Sequence, residues 1–425
     1  MNVLRLPTRE AAREALTRPT QDTREMVERV EPIFDRVARD GDKAVRTYTE
    51  LFDKVELDVF EVPREELEQL AETVPEKLQK SITLAAANIE SFHNTQHRYE
   101  APSETMPGVK VWRRPIPIQR VGLYAPGGSA PLISSVLMLG VPARLAGCEE
   151  IVLATPPSSE GGLNPAMAAA ALAAGVHRVF LMGGAQAIAA LAIGTETVPK
   201  VDKILGPGNQ YVTAAKQVAS LRGTAIDMPA GPSEVLVVAD DSANVSFLAA
   251  DLLSQAEHGP DSQVVLVTTS SRVLAEIEPE LERQVAKLPR EQVARKALAN
   301  SVAIQVETLP EAMDVSNDYA PEHLILAVED AEYAARSVQH AGSVFLGHYS
   351  PESVGDYASG TNHTLPTGGH ARAYAGVSLD SFVRKVTFQH LTRDGLKGIG
   401  TAVEVLAKAE GLDAHARAVT IRLRD

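Results

Sequence analysis

The chain has 425 residues, too many for one ordinary hydrophobic core, and its length points to two or three domains. It is 44% hydrophobic and 23% charged, and 41 Lys and Arg against 55 Asp and Glu leave a net charge of −14. That is the balance of a soluble globular protein, with no basic patch suited to nucleic acid or an anionic membrane.

The N-terminus, MNVLRLPTRE, has no apolar core of signal-peptide length. MVERVEPIFDRVARDG follows as a helix, with Thr20 or Asp22 as its cap and a stop at Gly41. PREELEQLAETV and KSITLAAANIESFHNTQ predict two more charged helices. Proline-rich RRPIPIQR marks a boundary before residue 121.

From there the texture changes. RVGLY, EEIVLAT, HRVFLM and VDKILG read as strands. They alternate with helices through SSVLMLGVPARLAG, NPAMAAAALAAG, GGAQAIAALAIG and PGNQYVTAAKQVAS. Strands and helices alternating at this length predict a parallel sheet with helices on its faces, an α/β fold. The strands are apolar without alternation, as expected when both faces are buried. AMAAAALAAGV is the longest apolar run and reads as a packed helix rather than a membrane span. Cys148 is the only cysteine, so no intrachain disulfide forms, and a zinc site would use His and oxygen ligands.

TAIDMPAGPSEVLVVAD crosses into a second such unit, with QVVLVTT, SVAIQVE and AGSVFLG as further strands and one long charged helix running to about Asn300. Between the first two strands lies NVSFLAADLLSQAEHG. Phe247, Leu248, Leu252 and Leu253 fall at helical spacing, and Gly259 is a natural stop. Gln255 continues the line of Leu248 and Leu252, and His258 lies three residues further over the same face. An apolar stripe that ends in an amide and an imidazole invites a chemical reading. From SFVRKVTFQHL onward the chain reads as a separate, mostly helical tail.

Ligands of open α/β sheets bind beyond the carboxyl ends of the strands. Four glycine-rich stretches fall there: YAPGGSAP, MGGAQAIA, LGPGNQY and PAGPSE. Several open a helix whose N-terminal amides can face an anion. None matches G-x-G-x-x-G, and short βα turns need glycine in any case.

NDYAPEHLIL sets Glu322 and His323 side by side before an apolar strand. Neighbours on a strand point in different directions and can serve one site in two roles, with His suited to act as base near neutral pH. An isolated pair of this kind is more often a cap or a solvent-facing loop. SVGDYASGTNHTLPTGG, long and irregular, holds Asp356 and His363. LAKAEGLDAHARAV holds Glu410 and His415, with Gly411 ending one helix and Asp413 capping the next. Gln255, His258, Asp356 and His415 together would offer two nitrogen and two oxygen ligands, a set suited to zinc or a similar ion. Spacing alone does not bring them together.

The strings GLYAPGGSAP, GGAQAIAALAIGTETVPKVDKILGPGN, MPAGPSE, DLLSQAEHG, APEHL, GDYASGTNH and AEGLDAHARAV, in this order from about residue 85 to the C-terminus, resemble the histidinol dehydrogenase family. The resemblance implies oxidation of L-histidinol to L-histidinal and then to L-histidine, the last step of histidine biosynthesis, with two NAD+ reduced. It implies zinc held by Gln255, His258, Asp356 and His415. His323 would be the base for both oxidations, and Glu322 would activate the water that hydrates the aldehyde. Ser233, His363 and Glu410 would contact the substrate together with the zinc residues and the Glu322–His323 pair; Tyr124, Gln186 and Asn209 would contact NAD.

The family's two Rossmann-like domains are incomplete, which accounts for the missing G-x-G-x-x-G. The resemblance also implies an intertwined homodimer in which the tail, with Glu410 and His415, completes the partner's site. The expected organisation is a helical arm over 1–24, a first Rossmann-like domain over 25–120 with 234–379, a second over 121–233, and a tail domain over 380–425. No nucleic-acid or membrane partner is expected, and the expected location is cytoplasmic. Three other readings remain, one of them a catalytically inactive homologue, against which the intact site residues speak. A relative of the same fold acting on another small alcohol, such as sulfopropanediol, would lose the residues that hold an imidazole; His363 and Glu410 are present. A two-lobed metal- or solute-binding protein would not need the Glu322–His323 pair.

Overall fold

Two six-stranded sheets organise the computed structural model, which describes residues 1–19, 23–127, 131–228 and 231–424. Thr20 and Asp22, the two candidate helix caps, fall outside those residues, as do 128–130 and 229–230 within two of the glycine-rich stretches.

One sheet runs Glu61–Val62, Arg178–Leu181, Glu150–Thr155, Arg120–Tyr124, Lys203–Leu205, Ala225–Ile226. Its strands are parallel except Glu61–Val62, which is antiparallel to Arg178–Leu181. The other sheet runs Asn2–Arg5, Val302–Gln305, Gln263–Thr268, Glu234–Ala239, His323–Ala327, Ser343–Leu346, all parallel. The central strands are buried end to end, such as Gln263–Thr268 and Glu234–Ala239, in keeping with helices on both faces. The α/β class with parallel sheets read from the sequence is therefore the observed one.

The grouping of segments differs from the expectation. Residues 25–120 were expected to join 234–379. Instead Val30, Phe34, Leu67, Ile82 and Ile89 pack against Val121, Leu123, Ile151 and Phe180 of the first sheet, and Glu61–Val62 pairs directly with that sheet's edge. The reason is the amphipathic stripe of the helices Thr23–Asp40 and Glu76–Asn94, which needs the apolar sheet face nearest it in space.

The N-terminal arm is also not purely helical. Asn2–Arg5 adds an edge strand to the second sheet, in register with Val302–Gln305, and the helix Arg9–Ala15 packs its Ala12 into that lobe. The long charged helix before Asn300 is two helices, Ser271–Val285 and Glu291–Ala299, parted at 286–290, where Pro289 blocks continuation.

A third, antiparallel sheet joins Ser103–Met106, Val109–Pro117 and Val383–Leu391. The segment read as a proline-marked boundary is thus a strand. Ser103–Met106 pairs only with Val109–Val111, so Pro115 and Pro117 lie where the strand has a free side and their missing N–H groups cost no ladder bond. The tail opens with Val383–Leu391 and continues as a helical hairpin, Arg393–Ala409 and Asp413–Arg424. No helix among the described residues is long and apolar enough to cross a membrane.

Candidate active site

The two large sheets face the site with opposite ends. In the first sheet the loops beyond the carboxyl ends carry Tyr124, Gly183–Gly184 and Asn209, as the rule for open sheets demands. In the second sheet the site lies at the amino ends: Glu234 and His323 are the first residues of their strands. The helix Val245–Ala256 returns antiparallel to the strand before it and delivers its C-terminus to that same edge.

That C-terminus carries the amide and imidazole singled out by the sequence. Asn244 caps the other end, its side chain accepting from the Ser246 N–H. Leu248, Leu252 and Gln255 are buried on one face, and His258 follows the last turn. A six-residue helix, Glu352–Tyr357, brings Glu352 and Asp356 at i and i+4 onto one face opposite it. Ligand atoms of His258, Glu352 and Asp356 all lie within 4.8 Å of one another. The Gln255 amide sits beside them. In the orientation its neighbours require, its Nε2 donates to the Glu352 carboxylate and its Oε1 accepts from the Glu234 N–H at 2.9 Å.

Glu322 and His323 adjoin this cluster and are buried, 6% and 4% exposed. Glu322 Oε2 accepts the Glu234 N–H at 2.9 Å. His323 Nδ1 lies 3.3 Å from the Glu234 carbonyl and 3.6 Å from Glu322 Oε2. Its Nε2 stands 3.5 Å from Asp356 Oδ1, has no hydrogen-bond partner, and is buried.

The electrostatics follow from carboxylates crowded out of water. Burial pushes the Glu322 carboxyl up to about 8, and burial does the same to Glu352, also to about 8. Burial opposes charge on His323, yet the Glu352, Glu322 and Asp356 carboxylates prevail and push it up to about 10. Burial also works against the Asp356 carboxylate, but His323 holds it below its ordinary value. His258 is exposed toward the clefts, yet desolvation by the walls around it holds its imidazole below the ordinary value, which keeps a nitrogen free to ligate. An imidazole, His258, with two carboxyls, Glu352 and Asp356, is a donor set for a divalent cation, and a cation bound there would favour the charged carboxylates that burial opposes. The residues fit zinc.

His363 ties this cluster to the other lobe. Its Nδ1 lies 3.0 Å from the Asp356 carbonyl, and its Nε2 lies 3.1 Å from Ser135 Oγ on the helix Ile133–Ala146. Burial holds its imidazole below the ordinary value. Ser233 lines a 660 Å³ cleft together with Asn209 and His258.

A second cleft, of 770 Å³, brings together Tyr124, Gln186, Asn209, His258 and Arg290. Tyr124 accepts the Gly184 N–H on its hydroxyl at 3.1 Å, and burial pushes its phenol up to about 12. Gln186 donates through Nε2 to Asp53 Oδ2 at 3.2 Å, leaving its buried Oε1 without a partner. Asn209 caps the helix Gln210–Leu221, accepting from the N–H groups of Tyr211 at 3.0 Å and Val212 at 3.1 Å. Gly206, at φ +132°, is required here, because a Cβ would collide with the Tyr124 carbonyl. His258 lines both clefts, so the cleft with the three proposed cofactor residues opens onto the cation cluster.

Two residues of the expected ligand and substrate sets do not join. Glu410 and His415 lie exposed on the tail hairpin, and His415 is outside the cluster of His258, Glu352 and Asp356. Conversely, Glu352, Glu234, Ser135 and Asp53 take part and were not singled out. Glu352 carried a signal, its i, i+4 spacing to Asp356. The others depend on contacts between residues far apart in the sequence.

The chain matches the family model described as histidinol dehydrogenase over residues 16–423. It is 55% identical to a histidinol dehydrogenase of Bacteroides thetaiotaomicron over 423 residues, covering 100% of this chain and 99% of that protein. It is 54% identical to one of Xylella fastidiosa, covering 97% of this chain and 96% of the relative. The crystal structure of histidinol dehydrogenase from Elizabethkingia anophelis superposes with a TM-score of 0.97 at 50% identity, covering 100% of this chain and 98% of that one.

Proposed function

Since this chain belongs to the histidinol dehydrogenase family, we propose that it oxidises L-histidinol through L-histidinal to L-histidine, with zinc bound and two NAD+ reduced. The observation that carries the reading is the buried Glu322–His323 pair set against the candidate cation cluster, with His258 shared between that cluster and the cleft of Tyr124, Gln186 and Asn209.

A primary alcohol yields hydride only as its hydroxyl proton departs, so the reaction needs a base within reach. His323 Nε2, buried, without a hydrogen-bond partner and 3.5 Å from Asp356 Oδ1, is that base. Glu322 sits beside it, held by the Glu234 N–H, and activates the water that adds to the aldehyde; His323 then takes a proton from the hydrate. NAD supplies the hydride acceptor for both oxidations. Gln255 through its Oε1, His258 and Asp356 would hold the zinc, with Glu352 accepting from the Gln255 Nε2. Bound there, zinc supplies positive charge and orients the substrate. The same charge, near Asp356 and Glu352, draws His323 back toward the neutral form a base must have.

Ser233 and His363 contact the substrate from the walls of the site. His415 and Glu410 reach the site of a second subunit in a homodimer. This is supported by their exposure and by Val405, Leu406, Leu412 and Ile421, apolar residues left 42% or more exposed on the same hairpin.

The test is substrate choice. With NAD+ and zinc, L-histidinol should be turned over, and small primary alcohols lacking an imidazole should not. Preference for such an alcohol over histidinol would overturn the assignment.

A further inference from the structure

We infer that Asp53 sets the cofactor preference of the 770 Å³ cleft: its carboxylate accepts the ribose hydroxyls beside the adenine and excludes a ribose carrying a 2′-phosphate. The inference rests on the proposal that this cleft binds NAD.

Asp53 is an expensive residue where it stands. It is the last residue of the helix Asp42–Asp53, whose last turn holds no basic residue. A carboxylate there faces the negative end of the helix dipole. It is also half-buried, and burial pushes its carboxyl up to about 6. The hydrogen bond it accepts comes from a neutral amide, Gln186 Nε2 at 3.2 Å, rather than from a cation. Its other oxygen rests against the backbone of Gly183, where a Cβ would lie 3.1 Å from it. A charge so placed is explained by a ligand that offers uncharged O–H donors, which a vicinal diol does.

The cleft assigns the ends. His258 and Arg290 line the cleft from the second lobe, and they mark the end where hydride would move. Asp53, Gln186 and Tyr124 belong to the first lobe. Among the described residues lining this cleft, the other cation is Arg29, which is paired with Glu25 through Nη2 at 2.5 Å. A 2′-phosphate brought to Asp53 would therefore meet like charge. An acidic residue that takes the ribose 2′-hydroxyl is the common device for preferring NAD over NADP, and exclusion by like charge is how such preferences are sharpened.

The experiment is calorimetric titration of the zinc-loaded protein with ADP-ribose and with 2′-phospho-ADP-ribose, which reads binding without turnover. The wild-type protein should bind ADP-ribose at least about 100-fold more tightly. Asp53→Asn, of nearly the same shape, should weaken ADP-ribose by about 10-fold and narrow the ratio by at least as much. Asp53→Glu, keeping the charge, should retain the discrimination. An unchanged ratio in Asp53→Asn, with wild type still binding ADP-ribose, would overturn this inference and leave the NAD reading standing. Failure of the wild-type protein to bind either compound would overturn both.

Discussion

His323 Nε2 stands 3.5 Å from Asp356 Oδ1, so the proposed base and a proposed metal ligand face each other across one contact. The base and the cation are therefore coupled electrostatically, while their functions separate under mutation. His323→Asn keeps a polar group of similar size and should lower kcat by about 10²–10⁴-fold. Zinc content, read by elemental analysis of the purified variant, should stay near one ion per chain-level site, because His323 is not among the proposed ligands. Near-normal turnover would remove His323 from the mechanism.

Glu322 is proposed to act only where water is needed. Glu322→Gln retains an oxygen for the Glu234 N–H, so the fold should survive. Oxidation of L-histidinal, supplied directly, should fall more than the first oxidation of L-histidinol, by roughly 10-fold or greater. Equal loss in both half-reactions would contradict the division of roles.

Glu352 touches Gln255 and lies within the cation cluster. Glu352→Gln removes a buried carboxylate that would both balance the cation and orient the amide beside it. Zinc affinity, measured by competition with a chelator, should fall by about 10–100-fold. Unchanged affinity would make Glu352 a bystander.

Ser135 holds His363 from the opposite lobe at 3.1 Å. Loss of one such bond costs about 0.5–1.5 kcal/mol. Ser135→Ala should raise KM for L-histidinol by about 2- to 12-fold with kcat little changed, since the bond positions a substrate contact rather than a reacting group. A fall confined to kcat would argue otherwise.

Burial raises the Asp53 carboxyl to about 6 in the folded protein, above its unfolded value. A carboxyl raised in this way costs stability once ionised: the cost grows as pH rises from about 4 through 6 and is complete above that. Asp53→Asn should therefore be more stable than wild type at pH 8, by on the order of 1 kcal/mol after allowance for solvent screening of a half-exposed group. The difference should vanish near pH 4. Urea denaturation at the two pH values checks it, and a variant less stable than wild type at pH 8 would show that the carboxylate is structural.

Much of this arrangement is legible in the sequence for a physical reason: its signals are local. The βα alternation and unbroken apolar strands specify parallel sheets, and the stripe of Leu248, Leu252 and Gln255 carries Gln255 to a buried helix end, with His258 following it. What stays hidden depends on partners distant in the chain. Asn2–Arg5 is exposed at three of four residues, so no burial pattern marks it, and it becomes a strand only beside Val302–Gln305. Val109–Pro117 carries prolines that read as a break until its partner Val383–Leu391 is seen. Glu352 lies just ahead of the irregular segment that drew attention to Asp356. Asp53 gave no signal at all, because a single acid at the end of a charged helix looks like a solvated one.

The most direct measurement is the yield of NADH per molecule of L-histidinol consumed, with zinc, after chelation, and after zinc is restored. The expected result is two NADH per histidinol, lost on chelation and recovered with zinc. One NADH per histidinol with histidinal accumulating, or two NADH undiminished in the metal-free protein, would contradict the proposal that one zinc-bearing site carries both oxidations.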